Sequence, residues 1–248
     1  YLQLREARAG VALAQDAVAL SERAVEIARI RLERGAATEL DLRDAETDLA
    51  SARTDLQSAR QGADLAARSF SSLTGLDAQE LEPVPAAWLE TTVPDEQAWL
   101  ARLDATPTVL QALQGVELAR TARELLDPAY APARDIEAAE LRLAQAEEGL
   151  AEARRGVRLQ LRSLLDRVAS AREGLVVARD ALANAEERDR VERSRLEAGL
   201  IAEIAYDQTR LATRQAGDAL QRAEHELVRA LFALQADTGL PIEGLDGF

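Results

Sequence analysis

The chain has 248 residues and carries 44 acidic against 30 basic side chains, a formal net charge of −14. Phosphate binding needs clustered cations, and here Arg is interleaved with Glu and Asp, so nucleic acid is excluded as a partner. Aromatics make up only 3% of the residues, Cys and Met are absent, and the 47% apolar fraction is supplied mostly by Ala, Leu and Val, which fill thin seams rather than a thick core.

Abundant helix formers and few β-branched residues indicate an all-α fold. Without Cys there is no disulfide framework and no thiol chemistry, which fits an oxidising compartment without proving one. No run of about 18 apolar residues is present, so no stretch is suited to cross a bilayer as a helix. The opening YLQLREARAG lacks a signal peptide's charged-then-apolar layout and reads as the interior of a helix, so we expect a mature fragment.

In chain order, the first element is a helix on which Leu4, Ala7, Val11, Ala14, Val18, Ser21, Val25, Ala28 and Leu32 recur in steps of three and four, the a/d pattern of a left-handed coiled coil. A second stripe, Leu13, Ala17, Leu20, Ala24 and Ile27, is displaced around the same helix. A helix with two seams has neighbours on two sides, which suits sheets or closed barrels of helices better than a lone hairpin. Gly35 stands where this seam stops, as a left-handed C′ glycine would. A second helix then carries Leu42, Ala45, Leu49, Ala52, Leu56, Ala59, Ala63, Ala66, Phe70 and Leu73 in register. Residues 1–76 thus form one antiparallel hairpin with its turn near 35.

Residues 77–105 break the pattern with Pro83, Pro85 and Pro94, hold both tryptophans, and read as a connector with a short helix near Asp95 to Leu103. Thr106-Pro107 is an N-cap and N1 pair opening a helix over 106–127, with Val109, Leu113, Val116 and Leu125 toward its partners. The prolines of DPAYAPARD stop that helix, leaving a tight turn or the site of a removed segment at 128–134. From Asp135 a third long helix of about 60 residues, about 90 Å at ~1.5 Å per residue, leads to Gly199. That length points to a rod or a wall of rods. Its seam through Leu150, Ala153, Val157, Leu161 and Leu164 contains two successive steps of four, which locally unwinds a supercoil. A fourth helix completes a second hairpin over 135–240, and 241–248 form a tail.

The two hairpins are copies. A shift of 164 residues carries Arg31, Leu32, Glu33 and Gly35 onto Arg195, Leu196, Glu197 and Gly199, and Thr74, Gly75 and Leu76 onto Thr238, Gly239 and Leu240. Seam positions follow: Val168, Ala171, Leu175, Ala178, Leu182 and Ala185 answer the first helix, with Asp189 and Glu192 the charged exceptions. Gly174, Val177, Ala181 and Val191 keep part of the second stripe.

RLERGAATELDLRDAETDLASARTDL with SLTGL, and RLEAGLIAEIAYDQTRLATRQAGDAL with DTGLP, together with ATPTVLQALQGVELARTAREL, resemble the TolC-like outer-membrane efflux ducts. The resemblance covers roughly 1–80 and 105–241. It implies that the hairpins form part of a trimeric α-helical barrel, in the periplasm, of a protein of the cell outer membrane. Partners would be two further copies, a periplasmic adaptor and an inner-membrane transporter. The family's membrane-crossing strands have no counterpart here, since residues 127–135 are too few for a strand pair.

In that family the glycine turns form the periplasmic tip, so Arg34, Gly35, Ala36, Ala198, Gly199 and Leu200 would contact the adaptor. Members often carry Asp six residues after the Gly. That is Asp41 in the first copy, whereas the second copy has Ala205. Asp41 and Asp44 are candidates for an acidic ring that favours cations at the channel mouth. Ile201 and Leu196 depart from the basic and aromatic gate positions.

No phosphate loop, Cys/His cluster or nucleophile motif is present, so neither catalysis nor a cofactor or metal site is expected. His225, between Glu224 and Glu226, reads as a surface residue. Helical spacing pairs Glu186 with Arg190 and Asp189 with Arg193, the ordinary pattern of a solvated face. Two functions remain from different classes: the duct of a tripartite efflux pump or type I secretion system, and a soluble coiled-coil scaffold or spacer. A metal-buffering acidic protein is a third, weakened by the dispersal of the carboxylates.

Overall fold

The computed structural model describes residues 1–77, 82–127, 129–242 and 244–245. Part of the expected connector, Pro128 and most of the tail therefore lie outside the described residues. The elements, in order, are α1 (Leu2–Glu33), α2 (Glu39–Thr74), α3 (Ala86–Leu89), α4 (Glu96–Ala101), a 3-10 turn (Leu103–Ala105), α5 (Pro107–Glu124), α6 (Ala133–Glu197) and α7 (Glu203–Thr238). Among the described residues there is no strand, and no helix is long and apolar enough to cross a membrane. The all-α reading holds.

The chain divides into two compact units. The first comprises Tyr1–Val84 and Glu173–Glu226. Within it α1 pairs with α2 along the expected seam: Leu4 and Val25 are buried, and every seam residue between them is half-buried. Arg53 of α2 reaches Glu22 of α1 at 2.8 Å. The α6–α7 hairpin closes similarly, with the Thr213 hydroxyl donating to the Ala185 carbonyl at 3.2 Å and Arg193 Nε donating to the Tyr206 hydroxyl at 3.0 Å.

The second stripe of α1 meets α7. Leu13, Leu20 and Ile27 share surface clefts with Asp218, Leu211 and Ile204 respectively. Ion pairs Arg23–Asp207 and Arg214–Asp16 stitch the same two helices together. The unit is thus a layer in the order α2, α1, α7, α6. The inner helices are covered on two sides and the edge helices on one. On α6 the residual stripe is uncovered within the chain: Gly174 and Ala181 are exposed, and Val177 is 67% exposed.

The second unit comprises Pro85–Arg172 and Leu227–Phe248. It holds the larger apolar core: Val109, Leu231 and Leu234 are each 0% exposed, with Trp99, Leu103, Leu161, Leu227 and Ile242 also buried. Large side chains converge here because the connector folds its tryptophans inward, Trp88 meeting Phe232 edge-on at 5.3 Å. Arg172 donates to the Thr91 carbonyl at 2.6 Å, and Arg154 clamps Asp104 through two bonds of 2.8 and 2.6 Å. Thr106 is the N-cap of α5, yet its hydroxyl donates back to the Leu103 carbonyl instead of capping. Leu125 does not join the packing face of α5: the helix stops at Glu124, and Leu125 is 80% exposed.

The 164-residue repeat extends to individual hydrogen bonds. In the Thr-Gly-Leu segments, the Thr74 and Thr238 hydroxyls donate to Phe70 and Leu234 carbonyls, and accept from the amides of Leu76 and Leu240. Gly75 and Gly239 both take positive φ, 69° and 64°.

Candidate functional site at the glycine turns

Both turns end their helices in the same way. Gly35 has φ 70° and donates to the Leu32 carbonyl at 2.9 Å, while the Ala36 amide reaches Arg31 at 2.8 Å. Gly199 has φ 69°, with Gly199 to Leu196 at 2.9 Å and Leu200 to Arg195 at 2.8 Å. This pair of bonds is a Schellman motif, which satisfies the last carbonyls of a helix and needs a left-handed residue that only glycine adopts without cost. Arg34, Gly35, Ala36, Ala198, Gly199 and Leu200 are all exposed, and Leu200, an apolar side chain, is 74% exposed. Both turns belong to the first unit, and a cleft lined by Ile27 and Ile30 on one side and Glu203 and Ile204 on the other places them at the same end of its layer.

The turns differ in how the next helix begins. Thr38 caps α2 in a capping box: its hydroxyl accepts from the Asp41 amide at 3.2 Å, and its own amide donates to Asp41 Oδ2 at 2.7 Å. The Thr38 amide, then its hydroxyl, hold the Asp41 carboxyl below its ordinary value of 3.8. The acid so stabilised contributes fully above that value, and its contribution disappears as pH falls through the lower, folded one. Asp44 sits one turn further along, exposed. The second copy has Ala202 and Ala205 at the equivalent positions, so no side chain caps α7 there. Installing both partners, Ala202→Thr with Ala205→Asp, should stabilise the chain by about 1 kcal/mol, read from urea unfolding.

Further from the turns, the face of α7 toward α1 is polar, and the sequence reading missed it. Asp207 is held by Arg23 and, at 3.4 Å, by Arg210. His225 is not a surface residue: it is 1% exposed, with Nδ1 2.8 Å from Glu6 Oε1 on α1. Asp189 does pair with Arg193, at 3.4 Å, while Arg190 takes Glu187 at 2.5 Å rather than Glu186. The signal that could have found this face is the run Ile204, Asp207, Leu211, Asp218, Gln221 and His225, which keeps helical spacing once polar residues are admitted to a seam.

Burial pushes the Asp218 carboxyl above its ordinary value, against the pull of Arg222 and with help from Asp16. An acid whose folded pKa lies above its unfolded one penalises the folded state most once it is ionised in both, and the penalty fades as pH falls through the folded value. Asp218→Asn should therefore raise the thermal midpoint at pH 7 and have less effect near pH 4.

Among the described residues no group of three or more His, Cys, Asp or Glu side chains could hold a metal ion. The open layer with paired glycine turns at one end decides the comparison with solved structures. The fold is that of solved outer-membrane channels. CusC, solved in a study of folding and transmembrane channel formation, matches with a TM-score of 0.74 at 12% identity, over 96% of this chain and 74% of that one. The CmeC outer membrane channel of Campylobacter jejuni matches with a TM-score of 0.59 at 15% identity, over 100% of this chain and 62% of that one. The outer membrane protein VceC of Vibrio cholerae matches with a TM-score of 0.58 at 17% identity, over 96% of this chain and 67% of that one. No family sequence model matches the chain, and no curated protein matches it. Against this channel fold, the six residues of the glycine turns and the α1–α7 interface are the features considered for a role.

Proposed function

We propose that the chain forms the helical wall of a duct, conducting small molecules or proteins across the periplasm and outer membrane as part of a tripartite efflux pump or a type I secretion system. The observation that carries this reading is the open layer of the first unit, whose edge helices α2 and α6 are covered on one side only. Repeating such a layer around an axis encloses a lumen and covers the edges at once. In this reading three copies make the wall, and the exposed tip residues Arg34, Gly35, Ala36, Ala198, Gly199 and Leu200 meet a periplasmic adaptor that links to an inner-membrane transporter. The helical part lies in the periplasm, and attachment to the outer membrane falls to segments other than these helices. The chain performs no catalytic step.

Of the two acidic residues considered for the channel mouth, Asp41 is engaged by Thr38, whereas Asp44 makes no hydrogen bond or ion pair among the described residues. A soluble spacer has no use for open edges on both sides of a layer.

Imaging of the outer-membrane fraction from cells making the full-length protein tests the reading. Trimeric tubes with a central lumen are expected; a soluble monomer would overturn it in favour of the scaffold. The tip assignment is tested separately. Leu200→Asp, at a 74% exposed position, should shift stability by no more than about 0.5 kcal/mol yet abolish co-purification of the adaptor.

A further inference from the structure

In the second unit, α5 ends at Glu124 and α6 begins at Ala133, and the turn between them is nearly free of charge. Residues 125–132 read LLDPAYAP, in which Asp127 is the one charged side chain. Leu125 is 80% exposed and Tyr130 is 88% exposed. Leu118, seven residues before Leu125 and so on the same side of α5, is 74% exposed and lines an open groove between α5 and α6 with Gly115 and Ala122. The uncovered apolar surface therefore continues from the turn onto the helix that leads into it.

The backbone of this turn keeps its hydrogen bonds to itself. The Tyr130 and Ala131 amides donate to the Asp127 carbonyl at 3.0 and 2.8 Å, and the Ala129 amide donates to Asp127 Oδ1 at 2.8 Å. Residues 128 and 132 are prolines and have no N–H to offer. The Asp127 carboxylate is thus spent on holding the turn, and cations on either side are engaged as well: Arg123 binds Glu140 at 2.8 Å, and Arg134 lies 3.5 Å from Asp135. What faces outward is hydrocarbon and one phenol. A protein or nucleic-acid partner is recognised through donors, acceptors and charge, which this turn withholds. A lipid interface rewards the opposite: unsatisfied backbone groups are costly there, and a tyrosine sits with its ring among acyl chains and its hydroxyl among headgroups.

We propose that the α5–α6 turn docks the chain on a phospholipid surface, with Leu125 and Tyr130 entering the boundary between headgroups and acyl chains of one leaflet without crossing it. The surface is zwitterionic: a chain of net charge −14 is repelled by anionic lipid, and residues 125–132 contain no cation to reverse that. So small an apolar contact holds one copy reversibly, and it strengthens when several copies present their turns to the same surface. The turn lies outside the helices and is one segment through which the chain holds a membrane. The inference rests on the duct reading only for the number of copies; the docking itself stands on the turn.

Flotation of the full chain with phosphatidylcholine vesicles tests the docking. The chain should float, and the floated fraction should not change as salt is raised. Leu125→Ser with Tyr130→Ser should reduce that fraction several-fold and leave the thermal midpoint in place, since both side chains are exposed. The chain has no Cys, so a polarity-sensitive dye can be placed on a single introduced thiol. On Ala129→Cys its emission should shift to the blue when vesicles are added, and on Ala36→Cys, at the first glycine turn, it should not. A double variant that floats like the parent, or flotation confined to anionic vesicles and abolished by salt, would overturn the proposal. Near-complete disulfide pairing of Ala129→Cys chains in dilute solution without lipid would also overturn it, by showing that a second copy covers the turn. The measured mass separates this inference from the duct reading. A trimer that does not float overturns the docking and leaves the duct standing, a monomer that floats through this turn supports the docking and counts against the duct, and a monomer that does not float overturns both.

Discussion

Leu234→Ala is expected to lower the stability of the chain by about 3 kcal/mol, the middle of the range for a fully buried leucine, and to bring the thermal midpoint down by several degrees. Leu234 is 0% exposed and lies on α7 among Leu227, Ala230 and Leu231, each 0% or 1% exposed. Its backbone carbonyl also accepts the Thr238 hydroxyl at 2.6 Å, so the helix end that would have to move to fill a cavity is fixed. The internal control is Leu65→Ala on α2, a helix with no buried residue, where Leu65 is 65% exposed. That substitution should stay within about 0.5 kcal/mol. Urea unfolding of both variants measures the contrast; equal losses would mean that the thin seams carry as much of the stability as the core of the second unit.

The contrast reflects what was legible in the sequence. Seams made of Leu, Val and Ala announce themselves through spacing alone, because a period of 3.5 residues in apolar side chains has few other causes. The hairpins, their glycine turns and the second stripe of α1 all follow from that signal. The partner of that stripe did not, because α7 answers it with Asp207, Arg214, Asp218 and His225. A reading that sorts residues by polarity assigns such side chains to solvent, whereas here Arg23, Asp16 and Glu6 on α1 satisfy three of them across the interface. The heptad spacing of Ile204, Asp207, Leu211, Asp218, Gln221 and His225 is visible only when polar residues are admitted to a seam, which an apolar-only pattern does not do. Leu125 shows the reverse error: an apolar residue in phase with its helix is exposed because the helix has already ended. The tip residues were named through resemblance, and what the structure adds is physical: a matched Schellman geometry in both copies and a capping box in only one.

The repeat also supplies its own control for a second large effect. Gly75 and Gly239 occupy equivalent Thr-Gly-Leu segments at nearly the same positive φ, so an alanine at either pays the same left-handed backbone strain, about 1–2 kcal/mol. Their surroundings differ. A Cβ at Gly75 meets nothing within 4 Å, whereas at Gly239 it comes to 3.2 Å from Cδ and 3.3 Å from Cγ of Pro107. Pro107 is the first residue of α5 and its ring cannot rotate aside, so the crowding must be relieved by shifting one helix end against the other. We expect Gly75→Ala to cost about 1 kcal/mol and Gly239→Ala about 3 kcal/mol, the excess being overpacking. Pro107→Ala in the Gly239→Ala background should recover part of that excess while leaving the cost of Gly75→Ala unchanged, since a Cβ at Gly75 has no neighbour within 4 Å to be relieved. Equal costs at the two glycines would show that the close approach of Gly239 to Pro107 relaxes freely, and that the strain of the turn alone sets the price in both copies.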